Sequence, residues 1–341
     1  MAELKTGVIG VGHLGQHHAR VYSNLPGVKL EAVVDVDRQR GDEIARKHGT
    51  RSLTDYRDVL SEVDAVSIAV PTVNHYLIAA ECLKRGIHVL LEKPMTTTLE
   101  EAEDLVRTAR DVGAVLQIGH IERFNPAIVA VQDLIEDPLF ILSDRISPFP
   151  FRSADIGVVL DLMIHDLDII LDLCKSKVKS IDAVGVNVLS KAEDLAHARI
   201  VFESGCVATL TASRLSLKKM RKIRLFQRYL YLSLDYNTQQ ATVIRKDPDF
   251  TFGELDFEKL STEGVEDLQS LIFGKYLHLE HIAMDTFEPL QRELESFVEA
   301  VRTGSEPLVT GEQGLRAMKV AGTIQEQIQS RLPKDPPAAG I

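Results

Sequence analysis

The chain is short of cysteine and of positive charge. Cys82, Cys174 and Cys206 are an odd number with no Cys-x-x-Cys pair, which argues against a disulfide framework and against a zinc site built on thiolates. Lys and Arg number 39 against 50 Asp and Glu, for a formal net charge of −11, so no phosphate-binding face for nucleic acid is expected. The basic run from Lys218 to Arg224 is short and reads as a solvated strand edge or turn, within reach of an anionic small substrate at most. No basic segment leads into an apolar stretch at the start, so no secretory signal is expected. The longest uncharged stretch, Ala65 to Ala80, holds Pro71, Asn74 and His75 and is too short to span a bilayer. The 11 histidines contain no His-Glu-x-x-His set, no metal is expected, and no repeat or low-complexity tract is visible. What remains is a soluble protein of a reducing compartment, the cytoplasm, long enough at 341 residues for two domains.

What is present begins as an alternation. Apolar runs at Leu4 to Ile9, Lys29 to Val34, Ala65 to Val70, His88 to Leu91 and Ala114 to Ile118 read as buried parallel strands. Helical spacing separates them at Gln16 to Asn24, Arg38 to His48, Asn74 to Arg85 and Leu99 to Arg110. The last carries Thr98 as N-cap with Glu101 at the third helical position, a capping box. This rhythm predicts a doubly wound parallel sheet over residues 1–121. Beyond it, Pro126 to Ile135 and Val159 to Cys174 read as helices. Six β-like runs follow without intervening helices: Val178 to Val188, Ala196 to Phe202, Cys206 to Ala212, Ile223 to Phe226, Tyr229 to Leu234 and Thr242 to Arg245. Such succession predicts a mostly antiparallel sheet. Helices at Pro289 to Arg302 and Glu312 to Ser330 close a second, α+β domain over 122–332, with a proline-rich tail at 333–341.

The loop Gly10-Val11-Gly12-His13-Leu14-Gly15 leaves the first strand and opens the first helix. Gly10 suits a tight turn, Gly12 lets backbone N–H groups approach a pyrophosphate, and Gly15 permits close helix–strand packing. The helix N-terminus then faces the anion. Asp35 falls 20 residues after Gly15 at the end of the second strand, where a carboxylate accepts from both ribose hydroxyls. A carboxylate there repels a 2′-phosphate and favours NAD over NADP, while Arg38 nearby offers a cation to that phosphate. Glu92-Lys93-Pro94 follows the fourth strand, at the sheet edge where ligands bind; Lys93 suits hydrogen bonding to a substrate hydroxyl. Asp161, His165 and Asp168 share one helix face at i, i+4 and i+7, an arrangement fitted to taking a proton from an alcohol.

In order, Gly10-x-Gly12-x-x-Gly15-x-x-His18-Ala19, Val70-Pro71-Thr72-Val73-Asn74-His75, Glu92-Lys93-Pro94, Asp161-x-x-x-His165-x-x-Asp168 and Glu293-Leu294-x-x-Phe297-x-x-Ala300-Val301-x-x-Gly304 resemble the glucose–fructose oxidoreductase, inositol dehydrogenase and rhizopine catabolism (Gfo/Idh/MocA) family. The resemblance implies an NAD-dependent oxidoreductase taking hydride from a sugar hydroxyl, with Lys93, Asp161 and His165 catalytic and His165 the acid/base. It places Pro71, Thr72, Asn74, His75 and Glu92 beside the cofactor with the glycine loop. It also implies homodimers or homotetramers formed through the open face of the antiparallel sheet. One departure is Met163, where the family usually has Gly. Ile121-Glu122-Arg123-Phe124-Asn125-Pro126 and the wording of 159–166 resemble the branch acting on nucleotide-linked amino sugars such as UDP-N-acetylglucosamine, for lipopolysaccharide or other surface polysaccharide. Arg123 and Asn125 are candidate substrate contacts or else a hinge, and Arg152 is either a contact for the UDP phosphates or a surface residue. A free polyol, deoxysugar or dihydrodiol substrate, or a non-catalytic dinucleotide-binding regulator, are the alternatives.

Overall fold

A computed structural model of the chain describes residues 3–149, 156–247 and 276–332. The chain divides into two compact units, residues 1–124 with 287–322 and residues 125–286 with 323–341.

The first unit is built on six strands: β1 (Leu4–Ile9), β2 (Val28–Val34), β3 (Arg51–Leu53), β4 (Ala65–Ile68), β5 (His88–Glu92) and β6 (Leu116–Gly119). They lie in the order β3-β2-β1-β4-β5-β6, every neighbour parallel. Helices α1 (Gly15–Tyr22), α2 (Arg38–His48), α3 (His75–Lys84) and α4 (Leu99–Val112) connect them. Local chemistry sets the helix ends. The Asp37 side chain caps α2, Thr98 and Glu101 complete a capping box on α4, and Gly49 and Gly113 end these helices in the left-handed region. The short edge strand β3 is not among the predicted runs, because Arg51-Ser52-Leu53 is too brief and polar to show a period.

The chain returns to this unit late. Helix α7 (Pro289–Thr303) sets Leu290, Leu294, Phe297 and Val298 into the same core as Val21, Tyr22, Leu30 and Val33. The first break, after residue 124, falls near the expected 121, but residues 287–322 return to the first unit: the apolar stripe of α7 closes the first core, not the second. The unit boundary then falls inside α8 (Gly311–Arg331), between Gly322 and Thr323.

The second unit carries an eight-stranded sheet among the described residues: β7 (Phe140–Ile146), β8 (Val178–Val186), β9 (Leu195–Phe202), β10 (Val207–Ser213), β11 (Met220–Phe226), β12 (Leu230–Asp235), β13 (Gln240–Lys246) and β14 (Leu277–Ile282). Its order is β14-β13-β12-β11-β7-β10-β9-β8, antiparallel except where β7 meets β10. One face, with Ala198, Ile200, Ala208, Leu210, Ile223 and Leu232, is buried. Strands β7 and β14 were not predicted. In β7 the buried face carries Ser143 and Arg145, polar residues that conceal its alternation. Of the two alternatives for the basic run, the solvated turn holds for Lys218 and Lys219, which are exposed ahead of β11, while β11 itself is interior rather than an edge. Lys222 Nζ lies 3.3 Å from Asp235, and Arg224 reaches Asp144 at 3.0 Å, so both cations meet cross-strand acids. The expected helix from Pro126 is only α5 (Pro126–Val129) before the chain turns. Among the described residues no helix is long and apolar enough to cross a membrane.

Phe297 is fully buried. Phe297→Ala is expected to cost about 3–5 kcal/mol, read as a lower urea midpoint. A loss below about 1 kcal/mol would show that α7 is not part of the first core.

Candidate active site

In the first unit strand order reverses at β1, which lies between β2 and β4. Connections leaving β1 and β4 run to opposite sides, so a crevice stays open beyond the carboxyl ends of the strands. A cavity of about 810 Å³ lies there. Gly10, Gly12, His13 and Leu14 line it. Gly10 has φ +85°, and a Cβ there would stand 2.7 Å from the Ala69 carbonyl oxygen; one on Gly15 would strike the Gly10 carbonyl. At Gly12 a Cβ would meet nothing within 4 Å, so the glycine keeps that space open to a ligand. Helix α1 has no side-chain cap and no acid in its first turn, leaving its N-terminal dipole to an anion.

Asp35, 7% exposed, closes the far side. Its Oδ2 accepts the Val11 N–H at 3.0 Å and its Oδ1 the Asp37 N–H at 2.9 Å. Each oxygen keeps a lone pair for a ribose hydroxyl. The cation beside it is not Arg38, whose side chain is 84% exposed and lies 3.9 Å from Asp42. Arg40 lines the cavity instead, 3.6 Å from Asp35 and 3.3 Å from Asp37. Its place three residues after Asp37, on the helix face of that acid, is the signal that could have found it.

Val70, Pro71 and Asn74 line the next wall. Thr72 is half-buried in the turn Thr72–Asn74 outside that lining. His75, 1% exposed, has Nε2 2.9 Å from the Val70 carbonyl oxygen and Nδ1 3.0 Å from that of Pro94. Its ring joins two loops and does not line the cavity.

Glu92 and Lys93 complete the lining, with a cis Lys93–Pro94 peptide. Glu92 Oε1 lies 3.0 Å from His18 Nε2, and Oε2 accepts the Lys93 N–H at 3.3 Å. Burial pushes the Glu92 carboxyl up, but the His18 hydrogen bond and the Lys93 charge outweigh it and hold the pKa below the ordinary value. The Glu293 carboxylate of α7 joins them, so that ligand atoms of His18, Glu92 and Glu293 lie within 4.8 Å of one another. Glu293 is fully buried, and its oxygens find no hydrogen-bond partner among the described residues. Burial, then the Glu92 charge, raises its pKa well above the ordinary 4.5. Two buried carboxyls this close cannot both ionise without a cation between them; Glu92 keeps the charge and Glu293 the proton. A polar residue on the apolar stripe of α7 was the signal for Glu293.

In the second unit Val159–Met163 forms a π-turn that runs into α6 (Ile164–Cys174). Such wide turns recur at functional sites. Asp161 and His165 are half-buried on it, and Asp168 is buried. Asp166 is locked by Arg145 of β7, which donates from Nε at 2.9 Å and from Nη2 at 2.7 Å. Met163 is 1% exposed and packs in the core, so it shapes the π-turn from beneath. Arg123 is buried in the first unit; Asn125 begins the second and its Oδ1 caps α5, accepting the Ala127 N–H at 3.0 Å. Arg152 lies outside the described residues.

A crevice of this kind, with a glycine turn and a carboxylate at the end of the second strand, has the form of a dinucleotide-binding fold. Residues 4–120 match the oxidoreductase family, NAD-binding Rossmann fold, and residues 145–227 the GFO/IDH/MocA C-terminal domain. The chain is 33% identical over 333 residues to UDP-N-acetylglucosamine 3-dehydrogenase of Acidithiobacillus ferrooxidans, covering 97% of this chain and 99% of that protein. A crystal form of that enzyme superposes with a TM-score of 0.85 at 32% identity, over 97% of this chain and 99% of the other. The scyllo-inositol 2-dehydrogenase (NAD(+)) of Bacillus subtilis is 29% identical over 234 residues, 63% of this chain and 68% of that one. The chain belongs to the Gfo/Idh/MocA family of NAD-binding oxidoreductases.

The neutral Glu293 gives the fold a pH dependence. Its folded pKa exceeds the unfolded one, so the native state keeps a proton that the unfolded chain releases above about pH 4.5. Stability is lost as pH rises from there toward the folded pKa, by up to about 1.4 kcal/mol per pH unit. Glu293→Gln removes this penalty. Its unfolding free energy is expected to gain on wild type from about pH 5 to pH 8; parallel stability–pH curves would refute a buried proton on Glu293.

Proposed function

We propose that this chain oxidises a nucleotide-linked amino sugar, UDP-N-acetylglucosamine at its 3-hydroxyl, to the 3-keto sugar with NAD. The observation that carries this reading is the 33% identity, over nearly the whole of both chains, to an enzyme named for that reaction. The glycine turn with its open Gly12, the two-lone-pair Asp35 and the uncapped α1 fit a dinucleotide, with Asp35 favouring NAD over NADP. NAD, when bound, supplies the hydride acceptor.

The residues supply the rest. His165 takes the hydroxyl proton while the carbon gives up its hydride, so the alcohol leaves two electrons and two hydrogens behind and becomes a ketone. The Lys93 ammonium donates to the same oxygen and stabilises its developing negative charge. Asp161 accepts from a neighbouring sugar hydroxyl and fixes the ring. Arg152 is assigned to the UDP phosphates. The product is a precursor for lipopolysaccharide or related surface polysaccharide, made in the cytoplasm. Partial likeness to inositol dehydrogenases favours a free polyol as the second reading. Retention of Lys93, Asp161 and His165 speaks against a regulator, which needs no proton-transfer pair.

The test is NADH formation from NAD with a panel of UDP-hexoses and free polyols, with an amine trapping the ketone. A signal confined to UDP-N-acetylglucosamine or a close relative supports the proposal, and a signal with free polyols alone replaces it with the second reading. Lys93→Met and His165→Ala are each expected to lower turnover at least ~100-fold with NAD affinity near normal; near-wild-type turnover in both sinks the mechanism.

The open face of the sheet supports a homodimer or homotetramer. Register places Phe140, Phe226, Tyr231, Ile244 and Leu279 side by side across five strands. The Phe226 ring lies 5.0 Å from Tyr231 and 6.4 Å from Phe140, with Leu279 51% exposed at the end. An apolar row of this length on one sheet face suits burial against a second copy. Phe226→Asp with Leu279→Asp is expected to shift the light-scattering mass toward the 37.9 kDa of one chain; an unchanged oligomer would move the interface elsewhere.

A further inference from the structure

We propose that His75 is a positioning residue that works as an imidazolium, tying the cofactor loop to the lysine loop with one proton on each ring nitrogen. Both of its ring nitrogens face backbone carbonyl oxygens, Val70 at 2.9 Å and Pro94 at 3.0 Å. A carbonyl oxygen only accepts, so each contact needs an N–H, and a neutral imidazole has one to give. The neutral ring would leave a nitrogen lone pair against an oxygen lone pair at 1% exposure, where no solvent relieves it. The two carbonyls belong to the working parts of the site. Val70 lines the cofactor cavity, and Pro94 follows Lys93, which lines the same cavity. The ring is thus a cross-brace between the segment that frames the dinucleotide and the segment that carries the lysine.

The surroundings supply the countercharge. Helix α3, which opens with His75, packs against β4, β5, α4 and the turn Thr72–Asn74. From β5 the charges are the ionised Glu92 and the adjoining Lys93, and Glu92 favours the imidazolium. Residues Ala65–Ile68 of β4 and the turn bring no ionisable group. On α4, Asp104 is engaged by the Tyr76 hydroxyl at 2.9 Å and by Arg107. Burial outweighs the Val70 and Pro94 carbonyls, Glu92 and the Met95 backbone, which all favour the charge, and leaves the His75 pKa below the ordinary 6.5. The opposition makes the brace sensitive to pH: as pH rises and the ring loses a proton, one of the two loops is released.

The test uses NAD binding, so it does not depend on the substrate reading, on which only the role of Lys93 rests. Histidine ring 15N spectra of the full chain, assigned by difference with His75→Gln, are expected to show both nitrogens of His75 protonated at pH 5, on the acid side of the ordinary histidine value. A neutral tautomer there would overturn the proposal. NAD affinity of wild type is expected to fall about 3- to 10-fold across the titration of the ring, the worth of one hydrogen bond. In His75→Gln the amide NH2 offers two donors at every pH, so this fall should disappear; in His75→Phe, with none, affinity should be low and flat. A Gln variant that keeps the wild-type pH profile would leave His75 a packing residue. Loss of turnover in both variants, with their NAD affinity following the wild-type pH profile, would count against this brace without touching the dehydrogenase reading.

Discussion

The ionised Glu92 carboxylate, buried at the carboxyl end of β5 against the cavity, is the charge around which the first unit is arranged. Left alone at 8% exposure it would protonate. His18 from α1 meets one oxygen and the Lys93 N–H the other. Glu293 from α7 gives up its own charge in its presence. One anion therefore links the helix that opens the dinucleotide loop, the strand that delivers the lysine and a helix almost 200 residues further along the chain. This is why α7 has to return to the first unit. Its Leu290, Leu294 and Phe297 supply the apolar contact, and its Glu293 meets His18 and Glu92 as a neutral group.

The parts of this arrangement that were legible in the sequence are those whose geometry is local. A glycine turn between a buried strand and a helix has few solutions, and Gly10, Gly12, Gly15 and Asp35 stand where that turn requires them. The capping box at Thr98 and Glu101 is equally local, being closed by residues three apart. Long-range pairings were not legible. Arg145 sits fully buried in β7 because Asp166 arrives from α6 to meet it; without that partner in view, Ser143-Asp144-Arg145 reads as a loop and the strand is missed. The same holds for β11, whose cations look solvated until Asp144 and Asp235 are set beside them by strand register.

The site shows the same split. Asp35 could be picked from its spacing, but which arginine accompanies it depends on the angular position of α2 on the sheet, and a two-residue difference separates the exposed Arg38 from Arg40 at the cavity. The meeting of Glu293 with Glu92 and the double carbonyl contact of His75 were hidden for a further reason. Nothing in a residue's identity tells whether its polar atoms will be left facing a charge, a carbonyl or nothing. Asn125 shows the reverse: its side-chain oxygen serves as a helix cap, a role that the neighbouring Pro126 already suggests.

A chain with net charge −11 that binds an anionic dinucleotide raises an electrostatic question. At physiological salt the field of distant surface carboxylates is screened within about 8 Å, so the net figure says little about the crevice. What acts there is fixed and near: the N-terminal dipole of α1, free of any acid in its first turn, and Arg40 between Asp35 and Asp37. Arg40 has a second consequence. By partly neutralising Asp35 it lowers the repulsion that the carboxylate would exert on a 2′-phosphate, yet it is already held from both sides by acids. A phosphate would have to break the contact with Asp37 to use it, whereas the ribose hydroxyls of NAD need only the lone pairs that Asp35 has left. Preference for NAD in this crevice therefore rests on Asp37 as well as Asp35, because Asp37 keeps the guanidinium beside Asp35 occupied.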